Sequence, residues 1–426
     1  MKVLSSFELR EEEMSVNPAT KFALDPHSAA FAADPYAVYA AMRAMDTPYY
    51  WEEADTWMLT KMADIEAVAL NKTMLRNNEA FISAADRKAQ QRAINFHDMP
   101  FHERYVQVNL LESEGETHDR LRKVVFREFT PAMIARQRDA IQAFVDRLLD
   151  DLSEQDEIDF VSDFAAHVPG HIIGRVLGVP DEDAPKLRNW SEEVVRYYDP
   201  GRGDADKARA ELATKEFYEY LLDLLADREA APQEDLLSRL IAHRDAGQLS
   251  QDELISTARW ILRAGHGSTI EVLGSGMHAL FRFPEQHQRL RDDASLMKTA
   301  VQEMFRFESP LPYFHRFATE DTEVGGKMFP AGTRFGLLYG AANRDPARFE
   351  NPDVFDVGRT PNRHMAFGGG GHFCLGNHLA RLDMDVIFST INARFSDIVL
   401  AETDVKYKHG LSVRGPEALR IGWKRA

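Results

Sequence analysis

The chain has a single cysteine, Cys374, and it follows a run of four glycines, Gly368 to Gly371, within Phe367–Arg381, FGGGGHFCLGNHLAR. Glycines let a backbone turn tightly and approach a flat partner with no Cβ in the way. Gly376 leaves another bare position two residues past the sulfur. Beyond it, Leu379, Leu382, Val386, Ile387 and Ile391 recur at helical spacing, so the cysteine stands where a loop opens a helix. Free N–H groups and the dipole at such a point favour a thiolate. A lone cysteine is most often a buried, inert one, but this neighbourhood reverses that reading. Zinc would need several Cys and His at close spacing, and a papain-type nucleophile needs a base rather than a glycine run. A thiolate on a bare loop suits a metal whose other ligands come from a planar macrocycle.

Other chemistry-bearing residues are placed at helical spacing. His118 and Arg122 are four apart in a basic amphipathic segment, Glu116–Thr130, opened by Thr117, and so share a face that suits one anionic group. Glu303 and Arg306 are three apart and can form a bidentate pair. Ser250 can cap a long buried helix that runs to Phe283, stopped by Pro284. Its middle reads Ala264–Gly265–His266–Gly267–Ser268–Thr269, where each interior glycine costs on the order of 1 kcal/mol against alanine.

Phe367, Gly368, Gly370, His372, Cys374 and Gly376, continuing through Leu379, Ala380 and Arg381, resemble the haem-binding loop of the cytochrome P450 family, whose cysteine thiolate is the proximal iron ligand. The resemblance implies a mainly α fold with small β-sheets, with haem b sandwiched between a long distal helix and the helix after the cysteine loop. It implies that Cys374 is the axial ligand, and that His118, Arg122, Arg316 and His372 hold the propionates. Ala264 and Gly265 would widen the distal helix for dioxygen. The family places an acid and a threonine next; here Gly267 and Ser268 stand in those positions. Ser268 keeps a hydroxyl, Thr269 can bond back to a carbonyl one turn earlier, and Glu271, four residues after Gly267, is a candidate to feed protons through water. His266 is a second relay candidate, with a helix histidine or substrate contact the stronger reading. Glu303, Arg306 and Arg359 match the family's structural ion-pair network. Trp260, Ile261, His266, Tyr313, Phe314 and Leu411 are the candidate pocket residues, the last beside Ser412 at the tip of a C-terminal hairpin. The function implied is a monooxygenase that inserts one atom of O2 into a small to medium apolar substrate, terpenoid or aromatic. Electrons would come from NAD(P)H through a ferredoxin-type donor and its reductase. Rival readings are an enzyme using peroxide or substrate-assisted proton delivery, and a haem-based sensor or binding protein.

The elements that position these residues follow from local pattern. Asp34–Pro35 opens a helix, Pro48–Trp51 and Thr56–Thr60 read as strands around a charged turn, and Asp64–Leu70 returns to helix. Residues 77–115 read as a long loop with short helices, the kind that covers a site. Helices follow over Pro131–Leu152 and Asp159–Leu177, the latter ending at Gly178, and DPGRGDADK breaks two further helical patterns. With 426 residues, the count of about one domain per 150 residues allows two or three domains. The resemblance implies one, over 1–426, with residues 1–20 a loosely ordered extension. Acidic residues outnumber basic ones 68 to 51, a charge of −17 that disfavours nucleic acid and anionic membrane as partners. One cysteine fits a reducing cytoplasm, and no apolar run reaches the roughly 20 residues of a membrane span.

Overall fold

The computed structural model describes residues 23–45, 48–79, 81–93, 95–107, 109–197 and 203–425. The expected N-terminal extension, 1–20, and residues 199–202 of the polar break lie outside them. Ten strands occur among the described residues: β1 Tyr49–Trp51, β2 Thr56–Leu59, β3 Met74–Leu75, β4 Glu157–Asp159, β5 Tyr313–Ala318, β6 Thr322–Val324, β7 Lys327–Phe329, β8 Arg334–Leu338, β9 Phe395–Leu400 and β10 Arg420–Arg425. They make a five-stranded sheet in the order β1-β2-β8-β5-β3, a three-stranded sheet β4-β10-β9 and the pair β6-β7. β1 and β2 are joined through the turn expected from Glu52–Asp55, with Asp55 in the left-handed conformation at φ 45°.

The helices that frame the site are α1 Gly115–Phe126, α2 Val168–Leu177, α3 Gln251–Ala264, α4 Gly267–Arg282, α5 Met297–Phe307 and α6 Asn377–Arg394. α1 begins before Thr117, and the residue ahead of it, Glu114, makes no side-chain cap. Its carboxylate is engaged elsewhere, by the Arg76 backbone N–H and by His372. α2 does end at Gly178, which takes φ 102° and donates its N–H to the carbonyls of Gly174 and Arg175. The helix expected from Asp159 begins instead as a strand, β4, followed by the π-helical turn Phe160–Ala165. Asp159 is the reason: its carboxylate accepts from the N–H groups of both Val161 and Leu419, tying this segment to the chain entering β10. Ser250 caps α3 as expected: its Oγ accepts from Glu253 N, and Ser250 N donates to Glu253 Oε2 at 2.8 Å. The long helix expected to reach Phe283 is two helices, with Gly265–His266 as the break.

Leu262, Val272 and Met277 of α3 and α4, Val301, Met304 and Phe305 of α5, and Val386, Ile387 and Phe388 of α6 belong to one buried cluster. Each such side chain stabilises by roughly 1.5–3 kcal/mol. Close packing is visible at Gly276, where a Cβ would lie 2.9 Å from Met304 Sδ and 3.3 Å from Phe388 Cζ. These helices therefore form a stiff frame behind the cysteine loop.

That frame also buries an acid with nothing bonded to one of its oxygens. Asp383 of α6 is buried, its Oδ1 has no hydrogen-bond partner, and burial pushes its carboxyl well above the usual range. A raised folded pKa contributes stability below the unfolded value of about 3.9, and that contribution is lost as pH rises through the folded pKa. Asp383→Asn is expected to leave the melting temperature unchanged in acid and to raise it progressively as pH increases. A difference independent of pH would show that Asp383 does not titrate in this way.

Candidate active site

Gly368 and Gly370 adopt φ values of 68° and 67°, which shape the cysteine loop, and a Cβ on Gly370 would collide with the Ala69 carbonyl. Cys374 N–H closes the loop by donating to Phe367 O at 2.9 Å. Phe367 anchors it, with the Phe305 ring 4.6 Å away and the Arg381 guanidinium over its face at 4.2 Å. Burial raises the Cys374 thiol, opposed by the N–H groups of Gly376 and Asn377 and by the guanidiniums of Arg381 and Arg122. The helix end thus pulls towards the thiolate without prevailing over desolvation. A coordinating cation would complete the deprotonation.

Arg122 lies where this pull is felt. Its Nη2 donates to Phe373 O at 2.6 Å, one residue before the sulfur. His118, on the same helix face, is buried; its Nδ1 is 3.2 Å from Asp119 Oδ1 and its ring 4.4 Å from that of His372. His118 Nε2 is buried with no hydrogen-bond partner. His372 Nε2 lies 3.2 Å from Glu114 Oε1. Arg316 is inside β5, buried, with Nη1 donating to His315 O at 2.8 Å.

A residue that sequence reading missed joins them. Arg76 follows β3, which pairs with β5, so its guanidinium reaches the same His315 carbonyl at 3.4 Å. It also bonds Glu112 at 2.6 Å and lies 5.3 Å from the Phe314 ring centroid, and its Nε is buried with no hydrogen-bond partner. No local pattern marks an arginine after a two-residue strand; only the β3–β5 pairing brings it here. Two buried nitrogens without partners, His118 Nε2 and Arg76 Nε, in a node of two histidines and two guanidiniums, fit a cofactor that carries carboxylates. Glycine-bared surface fits its flat body: a Cβ on Gly267 or Gly376 would meet nothing within 4 Å, and one on Gly371 only His118, at 3.7 Å.

On α3 and α4, Ala264 is exposed and Gly265, Gly267 and Ser268 are half-buried. Thr269 is buried. Glu271 is buried and bonds Lys408 Nζ through Oε1 at 2.6 Å, while Oε2 has no hydrogen-bond partner. Burial raises the Glu271 carboxyl, against the opposite pull of Lys408. Ile261 is packed in the main core and Trp260 lies half-buried at its margin, 5.3 Å beneath the Arg263 guanidinium. Tyr313 and Leu411 share a cluster with Tyr39 and Met58. Phe314, on the other face of β5, packs 5.6 Å from the Tyr339 ring. Leu411 sits in a loop closed by Lys408 N donating to Gly415 O at 3.0 Å. The expected hairpin is this loop with a single bridge, Tyr407 to Pro416.

Behind the loop, Arg306 donates to both oxygens of Glu303 at 2.7 Å, and neither side chain is exposed at all. Arg359 Nε reaches Glu303 Oε1 at 3.1 Å, so one carboxylate takes two guanidiniums. Arg306 Nη1 also donates to the carbonyls of Asn343 and Pro352, tying α5 to the chain that leads into the cysteine loop.

Among the described residues no helix is long and apolar enough to cross a membrane. The family model for cytochrome P450 matches residues 71–420. The chain is 31% identical to the polyketide biosynthesis cytochrome P450 PksS of Bacillus subtilis (strain 168), over 94% of this chain and 98% of that one. It is 32% identical to 6-deoxyerythronolide B hydroxylase of Saccharopolyspora erythraea, over 93% and 98%. Among solved structures, P450BioI in complex with hexadec-9Z-enoic acid ligated acyl carrier protein superposes with a TM-score of 0.84 at 30% identity, covering 93% of this chain and 99% of that one. A helical frame with small sheets, one cysteine on a glycine loop, and these matches agree: the chain belongs to the cytochrome P450 family, as a monooxygenase.

Proposed function

We propose that this chain holds haem b through Cys374, with His118, His372, Arg316 and Arg76 taking the propionates, and oxygenates an apolar organic substrate of small to medium size. Electrons would come from NAD(P)H through a ferredoxin reductase and a ferredoxin. The observation that carries the reading is the Cys374 sulfur, met by the N–H groups of Gly376 and Asn377 where the glycine loop enters α6. Bound haem supplies the oxygen chemistry: with two electrons and two protons, one atom of O2 enters the substrate and the other leaves as water. Arg122 steadies the loop through the Phe373 carbonyl, and the Glu303 network fixes α5 behind it. Ser268 offers a hydroxyl to dioxygen on the distal side. Lys408 is partly exposed and bonded to buried Glu271, whose Oε2 lies against Gly415, and this carboxyl is the candidate to feed protons through water.

Gly267 favours a second reading. The family's acid is missing there, the space is open, and the nearest acid in sequence is ion-paired to Lys408. Peroxide, or an acidic group on the substrate, would then supply what the carboxyl does not. A Cβ at Gly267 meets nothing within 4 Å, and Gly267→Asp is expected to raise product formed per NADH several-fold. Ser268→Ala is expected to lower the rate by ~10²-fold, the scale of one proton-transfer group. If Gly267→Asp leaves the ratio unchanged and peroxide alone matches the NADH-driven rate, the second reading replaces the first.

The substrate class is tested by titrating the ferric holoprotein with terpenoids, aromatic ethers, fatty acids, steroids and an acyl-carrier-protein thioester. The last is included because P450BioI is solved with such a partner. A low-to-high-spin shift with a small terpenoid or aromatic compound is the expected result. A shift with the carrier-bound acyl chain alone would overturn the small-molecule assignment.

A further inference from the structure

The break between α3 and α4 is packed from outside. Gly265 ends α3 at φ −82°, ψ −5°, and His266 precedes α4 at φ −101°, ψ −69°. A Cβ on Gly265 would lie 2.7 Å from Ile173 Cγ1 of α2. In the reverse sense, a Cβ on Gly170 of α2 would lie 3.1 Å from Cδ2 and 3.2 Å from Nε2 of His266. Gly170 and Ile173 are three apart and share one face of α2. Two adjacent residues of the break therefore dock on one ridge: a glycine receives a side chain from α2, and a glycine of α2 receives a side chain from the break. The His266 ring is buried, and its Nε2 lies 3.4 Å from the carbonyl of Ala166, just before α2. A sharp interruption in a buried helix needs an identifiable cause, and α2 supplies one where Gly265 and His266 meet it.

We infer that α2, through Gly170 and Ile173, sets the position of the break, and that His266 is a positioning residue rather than a proton relay or a substrate contact. The inference rests on the haem-thiolate reading above, since what the break presents to dioxygen is Ala264, Gly267 and Ser268. Gly170 is itself a cost, about 1 kcal/mol of helix propensity against alanine, so Gly170→Ala gains propensity while displacing the His266 ring by a few tenths of an ångström.

Carbon monoxide on the ferrous holoenzyme is the probe, because its C–O stretch reports the distal side without a substrate. Gly170→Ala and His266→Ala are each expected to shift that stretch, with the melting temperature of Gly170→Ala held or raised. In the double variant Gly170→Ala has no further effect, because the ring that transmits it is gone. Gly265→Ala is expected to shift the stretch as well, and Ile173→Ala to restore it. A stretch unmoved by Gly170→Ala and Gly265→Ala in folded protein, or simple additivity with His266→Ala, overturns the inference. A wild-type CO complex lacking the red-shifted Soret band of thiolate ligation would instead overturn the haem-thiolate reading itself, so the two failures are distinguishable.

Discussion

Cys374→Ser is expected to yield folded protein that still takes up haem, with NAD(P)H-driven oxygenation lower by on the order of 10³-fold or more. Uptake is expected to persist because the node proposed for the propionates is separate from the sulfur: His118, His372, Arg316 and Arg76 gather from α1, the loop, β5 and the end of β3. The chemistry fails because a serine oxygen does not supply the electron density that a thiolate pushes towards O–O cleavage. The ferrous CO complex of this variant should lose the red-shifted Soret band. A variant that keeps both the band and the turnover would exclude Cys374 as the ligand, and the chain has no other cysteine.

The largest loss of stability is expected at Glu303. Its carboxylate is unexposed and is bonded to Arg306 at 2.7 Å through both oxygens, with Arg359 as a second guanidinium. Glu303→Ala leaves Arg306 as a charge at zero exposure with backbone carbonyls and the Phe349 ring but no carboxylate beside it, a change that costs about 3–5 kcal/mol. Removing both charges, as Glu303→Leu with Arg306→Met, should cost less than Glu303→Ala alone. Denaturant titration of the three proteins checks the order. A double variant worse than the single one would mean that the carbonyl bonds of Arg306, rather than its pairing with Glu303, hold α5 to the loop.

The parts legible in the sequence were those governed by short-range rules. The Ser250–Glu253 capping box and the left-handed end of α2 at Gly178 follow from residues within one turn. The Glu303–Arg306 pair does too, and the loop before α6 is written in consecutive glycines. Misjudged features depend on distant chain. Glu114 was not available as an ordinary helix entry because Arg76 and His372 use its carboxylate. Asp159 left the helical pattern because Leu419 draws on it from the other end of the chain. Glu271 carries no local sign of Lys408, and Arg76 none of its approach to the His315 carbonyl, since topology alone makes those meetings. His266 reads from sequence as a partly buried helix histidine or substrate contact before a relay, and nothing local in the sequence signals that its ring lies against Gly170 of α2.

The most direct measurement is iron K-edge X-ray absorption on the ferric holoprotein, because it counts the atoms bound to the metal. One sulfur scatterer beside the macrocycle nitrogens is expected, lost in Cys374→Ser. A first shell of nitrogen and oxygen only, or a sulfur that persists in the variant, would contradict it.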